Sequence, residues 1–395
     1  MQIGLLGKAN VGKSTFFSAA TETYVATGNF PFTTIEPNVG VAYVKSECAC
    51  MHFKIQHDNP LCINGTRYIP VKIIDVAGLV PGAHEGKGLG NQFLDDARQA
   101  EVLIHVVDIA GTTDIQGQSV PVGTHDPLED IAFVKDEFDQ WFIDILKREW
   151  DKITREIDQK RAKLTDGIAK RFSGLGIKDF QVHEVLQKQG LVARNPKEWT
   201  DIDIETFVKE LRKNTKPMII AANKADLSQD LEILKKIPDV AIPCSAETEL
   251  LLRKASKAGI VNYSPGDESF TMTEGKDLLP PQQKALDLVK SVFSKIPSTG
   301  IQKILNTAVF DSLKFIVVYP VEDEAKLINK DGVVLPDTKL LPQDSTAKDL
   351  AFLIHADIAK GFLHAIDCKT KQRISGDQKL KDGDVIKIVS TLSRG

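Results

Sequence analysis

Nowhere in the 395 residues do eighteen apolar residues run together without a charge, which excludes a membrane-spanning helix. The amino terminus, MQIGLLGKANVGKST, has no basic leader followed by a long apolar stretch, so no signal peptide is expected and the cytoplasm is the expected compartment. Cysteine is scarce and odd in number, five without a framework spacing, which excludes a disulfide scaffold and predicts free thiols. Charge of either sign is not in large excess. The formal net charge of −4 creates no global field for a polyanion, so neither DNA nor a membrane is an expected partner, and RNA would need a local patch. No internal repeat or low-complexity segment occurs. What remains is 42% hydrophobic and 26% charged, the balance of a folded globular protein, in a chain long enough for two or three domains.

Short apolar runs alternate with helical patterns over residues 1–125, as in Met1 to Leu6, Val71 to Asp75 and Val102 to Asp108. This rhythm predicts an α/β domain, a mostly parallel sheet with helices on both faces. From Asp126-Pro127, a helix cap followed by a first-turn proline, long charged amphipathic patterns run to about Phe172 and predict an inserted helical hairpin. A further helical stretch holding Phe207, Val208 and Leu211 completes an inserted helical domain over 126–213. The sheet resumes with Met218 to Ala222 and Val240 to Cys244, so the first domain comprises 1–125 and 214–310, and its polar segment from Gly259 to Gly275 reads as a mobile loop. Beyond Asp311, β-like runs (Phe315 to Tyr319, Val333 to Leu335, Val385 to Val389) with Asp-Gly turns predict a small α+β domain over 311–395.

Gly7-Lys8-Ala9-Asn10-Val11-Gly12-Lys13-Ser14 fits G-x-x-x-x-G-K-[ST] between a predicted strand and a predicted helix. The glycines let the backbone curl so that successive N–H groups and the helix's positive end face phosphates. Gly7, Asn10, Val11, Gly12, Lys13, Ser14 and Thr15 are the expected cradle, with Lys13 on the β- and γ-phosphates and the Ser14 hydroxyl on Mg²⁺. Asp75-Val76-Ala77-Gly78 closes the next apolar strand, which puts Asp75 where ligands sit in open α/β sheets, as a second Mg²⁺ holder, with the Gly78 N–H on the γ-phosphate. By composition alone D-x-x-G is worth little; its place after a strand gives it weight. Asn223-Lys224-Ala225-Asp226 follows another buried-looking strand. An aspartate can accept from both N1–H and the 2-amino group of guanine, and adenine offers no such pair, so Asp226 points to GTP and GDP. Asn223 would meet N7 and brace the loops, Lys224 would cover the base, and N–H groups near Ser245-Ala246 would meet O6. Of Phe32-Thr33-Thr34, Thr34 is the favoured additional Mg²⁺ ligand and Thr33 the alternative; two threonines in an ordinary loop are the plain reading. Lys13, Thr34 and Gly78 make up the expected catalytic set.

With these residues the chain resembles the Obg-related GTPases, specifically the YchF-like group in its archaeal form. The resemblance rests on Gly7 to Thr15, on Phe30-Pro31-Phe32-Thr33-Thr34-Ile35-Glu36-Pro37-Asn38-Val39-Gly40, and on Asp75 to Ala83 running into Gly88-Leu89-Gly90-Asn91. Val334-Leu335-Pro336, Ala347-Lys348-Asp349-Leu350-Ala351 and Asp382-Gly383-Asp384-Val385-Ile386 resemble a TGS domain, a ubiquitin-like β-grasp module. The resemblance implies a nucleotide switch associated with ribosomes or other translation machinery, with the TGS module as an RNA or protein contact. Many YchF relatives replace the last aspartate of N-K-x-D and accept ATP; this chain keeps Asp226. Leu79 stands where Ras-like enzymes place the water-orienting glutamine, a substitution the group shares, so slow hydrolysis is implied. Asn10 occupies the P-loop position used by potassium-activated relatives, which makes K⁺ a second candidate ion.

Other residues have plain readings. Cys48, Cys50, His52 and Cys62 fit no common four-ligand zinc spacing and read as strand-edge thiols. His105 reads as a satisfied core histidine, and His84 as a weak candidate for positioning water. Lys360, Lys369, Lys371, Arg373, Lys379, Lys381, Lys387 and Arg394 give the last segment a basic bias that either RNA contact or a solvated surface explains. Two other function classes stay open: a nucleotide-gated ribosome- or RNA-binding factor with incidental turnover, and a P-loop ATPase or small-molecule kinase.

Overall fold

The computed structural model describes residues 1–22, 38–76, 97–159, 161–275 and 278–391. Its first sheet runs in the order β2 (Val39–Glu47), β4 (Thr66–Asp75), β1 (Gln2–Leu6), β5 (Val102–Asp108), β6 (Met218–Asn223) and β7 (Ala241–Pro243), with β3 (Cys62–Ile63) paired to β4. From β4 across to β7 the strands are parallel, whereas β2 and β3 run antiparallel to β4. Every residue of β5 is buried, as a parallel strand covered on both faces must be, and that is why it reads as an unbroken apolar run. Nine-residue β2 was not legible as a strand, since its residues alternate poorly between apolar and polar.

Helix α1 (Lys13–Thr21) follows β1, and short α2 (Ala49–Phe53) lies between β2 and β3. The connection from β5 to β6 carries α3 (Pro127–Lys147), α4 (Trp150–Asp158), α5 (Leu164–Arg171), α6 (Asp179–Lys188) and α7 (Asp201–Thr215). In α3, Asp126 accepts the Leu128 N–H at 2.9 Å, Pro127 needs no donor at the first position, and acidic Glu129 and Asp130 match the positive helix end. Ile131, Val134, Phe138, Phe142 and Leu146 recur three or four residues apart and are buried. The insertion is therefore more than the expected hairpin and one later stretch. Left-handed turns at Gly176 (φ 74°) and Gly190 (φ 69°) divide it, a conformation cheap only for glycine. Arg212 Nε of α7 donates to Asp139 Oδ1 of α3 at 2.7 Å in a buried ion pair that ties the insertion's first and last helices.

After β7 come α8 (Ala246–Lys257), a hairpin of β8 (Val261–Asn262) and β9 (Thr271–Met272), α9 (Pro280–Phe293) and α10 (Ile301–Asn306). The hairpin occupies the segment expected as a loop: Tyr263 is buried and donates to Glu249 Oε2 at 2.5 Å, which anchors the turn on α8. A second sheet runs β11 (Lys339–Pro342), β10 (Phe315–Val321), β14 (Asp384–Ser390), β12 (Phe362–Asp367), β13 (Gln372–Ile374), with β10 and β14 parallel and the other pairs antiparallel. Helix α11 (Ala347–Ile354), opened by a Thr346–Asp349 capping box, packs on it through Leu350 and completes a β-grasp arrangement. The strand expected over Val333 to Leu335 does not form. Val334 makes only an isolated bridge to Ile328, and Leu335 is buried at a left-handed φ of 43°. Its carbonyl is taken instead by Asn59 and Arg67, side chains of the first module.

Two apolar clusters organise these pieces. One runs from Ile3 and Leu5 through Val44 and Ile69 to Val317, Tyr319, Leu335 and Val385, so the sheet domain and the C-terminal module share a continuous core. The other joins Leu6 and Leu103 to Phe138, Phe142, Phe172 and Phe207 of the insertion. Phe142 lies 5.4 Å from Phe138, 5.3 Å from Trp141 and 5.5 Å from Phe172, centroid to centroid. Phe142→Ala is expected to cost about 3–5 kcal/mol, because close aromatic neighbours cannot collapse into the void; urea denaturation followed by circular dichroism measures it, and a loss under about 1 kcal/mol would contradict this packing.

Candidate functional site

The phosphate loop connects β1 to α1 under two steric constraints. At Gly7 (φ 144°) a Cβ would lie 2.4 Å from the Val106 carbonyl oxygen, and at Gly12 (φ 97°) it would lie 2.3 Å from Asn223 Nδ2. Only glycine fits either place. Between them Asn10 also takes a left-handed φ of 60°, and its amide donates to the Gly117 carbonyl at 2.8 Å. Lys13 and Ser14 open α1, with Thr15 next in the first turn.

Lys13 Nζ donates to the Gly7 carbonyl at 3.0 Å and to the Lys8 carbonyl at 2.7 Å, so the ammonium lies over its own loop. Burial pushes its pKa down, with the Asp75 carboxylate opposing. Burial likewise pushes Asp75 up, against a Ser14 hydrogen bond and the Lys13 charge. The Ser14 hydroxyl donates to Asp75 Oδ2 at 3.0 Å, while buried Asp75 Oδ1 has no partner among the described residues. A hydroxyl and a carboxylate with a spare oxygen form the hard donor set that suits Mg²⁺. Thr33, Thr34, Gly78, Leu79 and His84 lie outside the described residues.

Asn223, the last residue of β6, joins two loops with one amide. Its Nδ2 donates to the Val11 carbonyl at 2.9 Å and its Oδ1 accepts from the Ala246 N–H at 3.0 Å. Lys224 has a left-handed φ of 61°, and its Nζ reaches Asp108 Oδ2 and Thr112 Oγ1 at 2.9 and 3.0 Å. Asp226 follows, half-buried. Ser245 caps α8 through its hydroxyl, and its N–H donates to the Thr299 carbonyl at 2.9 Å. The N–H groups of Ser245 and Ala246 are thus both engaged within the protein, and a guanine O6 would have to displace one of these bonds or take a neighbouring donor.

Two contributors escaped the sequence reading. Asp108 ends β5 fully buried and holds Lys224, Thr112 and Thr113 through Oδ2. Lys8, a variable position of the loop pattern, is 2% exposed; its Nζ donates to the Thr113 carbonyl at 2.9 Å and pairs with Asp130 on α3 at 2.7 Å. His125 Nε2 lies 2.8 Å from the same carboxylate. The phosphate loop is therefore clamped to the helical insertion by a buried cation, for which the motif gives no signal. His105 is buried as expected, but its Nδ1 has no partner among the described residues, and burial, with Lys13 adding to it, pushes the imidazole down to about 3.

The cysteines depart from their reading as strand-edge thiols. Cys48, Cys50 and Cys62 converge with His57, all ligand atoms within 4.8 Å of one another, whereas His52 stacks edge-on against Phe53. Of the basic residues near the carboxyl end, Lys360, Lys379 and Lys387 pair with Asp357, Asp344 and Glu324, and Arg394 lies outside the described residues.

Three family descriptions match separate stretches of the chain. Residues 2–137 match the family described as 50S ribosome-binding GTPase, residues 221–323 the Obg-like GTPase YGR210-like, G4 motif-containing domain, and residues 332–390 the TGS domain. The chain is 46% identical to a GTP-binding protein of Methanocaldococcus jannaschii over 98% of each chain. The crystal structure of a GTP-binding protein from Pyrococcus horikoshii is similar with a TM-score of 0.77 at 40% identity, covering 99% of this chain and 100% of that one. A more distant relative, the human protein named Obg-like ATPase 1, is 28% identical over 92% of this chain and 82% of its own.

Gly12→Ala places a methyl against Asn223 at a strained φ, so GDP affinity is expected to fall by about a hundredfold with the circular dichroism spectrum unchanged. Titration calorimetry measures this, and wild-type affinity would mean that the loop does not contact phosphate.

Proposed function

The chain belongs to the YchF-like group of Obg-related GTPases, in the archaeal-type form with a C-terminal TGS domain, and from that premise we propose a Mg²⁺-dependent, guanine-selective switch that hydrolyses GTP slowly and acts with the ribosome in the cytoplasm. The observation that carries the reading is the Asn223 amide, bound at once to the phosphate loop and to the Ser245-Ala246 turn, because it sets the N-K-x-D residues beside the phosphate cradle. Gly7, Asn10, Val11, Gly12, Lys13, Ser14 and Thr15 cradle the phosphates, and Asn223, Lys224, Asp226 and the Ser245-Ala246 turn surround the base.

Lys13 exchanges its two loop carbonyls for β- and γ-phosphate oxygens, and the N–H groups at the start of α1 face the charge that develops in transfer. Ser14 and Asp75, with Thr34, would hold Mg²⁺, which would supply charge neutralisation at the phosphates. The Gly78 N–H senses the γ-phosphate. Water attacks the γ-phosphorus in line, and Leu79 stands in place of an orienting glutamine, so turnover is slow unless another group or a partner supplies that orientation. Asn10 donates from its side-chain amide nitrogen to the Gly117 carbonyl, which leaves its Oδ1 as the atom that would hold K⁺. The TGS module, with Lys371 and Arg373 exposed on and beside the end strand β13, supports an RNA or ribosomal-protein contact.

Equilibrium binding of GDP, GTP and ATP in Mg²⁺, with Asp226→Ala alongside, tests base selection. A guanine preference of about a hundredfold that the variant loses is the expected result; equal or tighter ATP binding by the wild type would assign the chain to the ATP-accepting relatives instead. Turnover should rise several-fold when K⁺ replaces Na⁺ and lose that response in Asn10→Ala; identical rates in both salts remove the K⁺ site.

A further inference from the structure

The sequence between β2 and β4 makes a compact knot at the far end of the sheet from the nucleotide. Arg67 and Asp75 are the second and last residues of β4, eight steps apart, so at about 3.3 Å per residue the two ends lie about 26 Å apart. Cys48 caps α2 and donates its N–H to the Gly65 carbonyl at 2.8 Å; Cys50 lies in the first turn of α2; Cys62 stands opposite Arg67 in the β3–β4 ladder. Lys54 turns the chain at a left-handed φ of 53°, which brings His57 back over Cys48. Cys48 Sγ lies 3.8 Å from His57 Nε2, and Cys50 Sγ 3.8 Å from Cys62 Sγ.

We propose that Cys48, Cys50, Cys62 and His57 bind one structural zinc ion that fastens the nucleotide-binding domain to the TGS module. Zn–S bonds of about 2.3 Å in a tetrahedron set sulfurs about 3.8 Å apart, the separation found between Cys50 and Cys62. Four protein ligands close the coordination sphere, which is the pattern of a structural site and leaves no position for substrate. Soft thiolates with one imidazole select zinc over Mg²⁺ or Ca²⁺. Cys48 and Cys50 are buried and Cys62 and His57 half-buried, so the ion would be shielded while remaining loadable from solvent.

Arg67 supplies the independent observation. Its side chain is fully buried, and Nε and Nη1 have no hydrogen-bond partner among the described residues; the third nitrogen, Nη2, donates to the Leu335 carbonyl, and the group packs over the Tyr319 ring at 5.6 Å. A buried guanidinium left with a ring face and one carbonyl is costly. Zinc with three thiolates and a neutral imidazole carries a net charge of −1, which Arg67 neutralises. Loading releases three thiol protons. Ligation through His57 Nε2 puts the ring proton on Nδ1, so the 3.3 Å contact from the Asn59 N–H opens.

The position gives the ion its role. Asn59, two residues after His57, donates to the Leu335 and Pro336 carbonyls at 2.9 and 3.2 Å, and the Tyr319 hydroxyl donates to the Glu47 carbonyl at 3.2 Å, one residue before Cys48. Ordering residues 48–62 therefore orders the surface on which the C-terminal module sits.

The test uses the full chain, purified reduced and without chelator, with metal measured by plasma mass spectrometry and Co²⁺ substitution followed by visible absorption. One zinc per chain is expected, and cobalt loading should give the intense d–d bands of a tetrahedral thiolate site. Cys62→Ser and His57→Ala should lose stoichiometric metal, while Cys244→Ser, which alters a cysteine elsewhere, should keep it. Chelation should make the chain around residues 48–62 sensitive to protease while GDP binding persists, which separates failure of this site from failure of the nucleotide site. Absence of zinc from a folded, GDP-binding preparation that also takes up no added Zn²⁺ or Co²⁺ overturns the proposal. So does iron in its place, a Cys50–Cys62 disulfide in the reduced protein, or metal retained by Cys62→Ser.

Discussion

One side-chain amide joins the two halves of the nucleotide site. Asn223 donates to Val11 and accepts from Ala246, so the phosphate loop after β1 and the turn before α8 are fixed to each other through the end of β6. The bond geometry also explains Gly12, since any Cβ there would strike the Asn223 amide. Glycine permits the contact, the contact fixes the loop, and the fixed loop positions Lys13 and Ser14. A buried amide satisfied at both ends is worth more than its individual bonds suggest, because removing it strands a donor and an acceptor away from water.

Buried charge extends this joint in two directions. Asp108 at the end of β5 holds Lys224, and Asp130 on α3 holds Lys8, so the N-K-x-D segment is anchored by a half-buried ion pair and the phosphate loop by a buried one. Such pairs contribute little net stability compared with apolar replacements, but breaking one leaves an uncompensated charge in the interior. Their effect is to make the phosphate loop's position depend on the helical insertion. The insertion is thereby more than a covering layer, since its first helix supplies the counter-charge for a residue inside the phosphate motif.

At the other end of the sheet, the C-terminal module is not tethered by a linker alone. Tyr319, Leu335 and Val385 belong to the same apolar cluster as Ile3 and Leu5, and Arg67 and Asn59 hold the backbone at Leu335. Strand β2 runs from Val39 to Glu47, whose carbonyl accepts the Tyr319 hydroxyl. That strand is paired along its whole length to β4. The cysteine–histidine cluster lies at its lower end.

How much of this could be read beforehand follows from how local each feature is. The phosphate loop, the Asp75 strand end, the Asp126-Pro127 helix start and the N-K-x-D segment are contiguous, and their backbone requirements are written in adjacent residues: glycine where φ is positive, proline where no N–H is needed, apolar runs where both faces are covered. The sequence by itself determined these, together with an α/β sheet interrupted by helices and followed by a β-grasp module. It did not reveal β2, whose pattern is weak, or the fate of Leu335, whose apolar neighbours suggested a strand until Asn59 and Arg67 claimed its carbonyl. Only the tertiary structure decided that Lys8 meets Asp130, that Asp108 meets Lys224, and that His57, not His52, joins the three thiols. Those partners are 122, 116 and a few residues apart, and in each case the outcome turns on strand register or on the direction of one left-handed turn, quantities that packing fixes and residue identity alone does not.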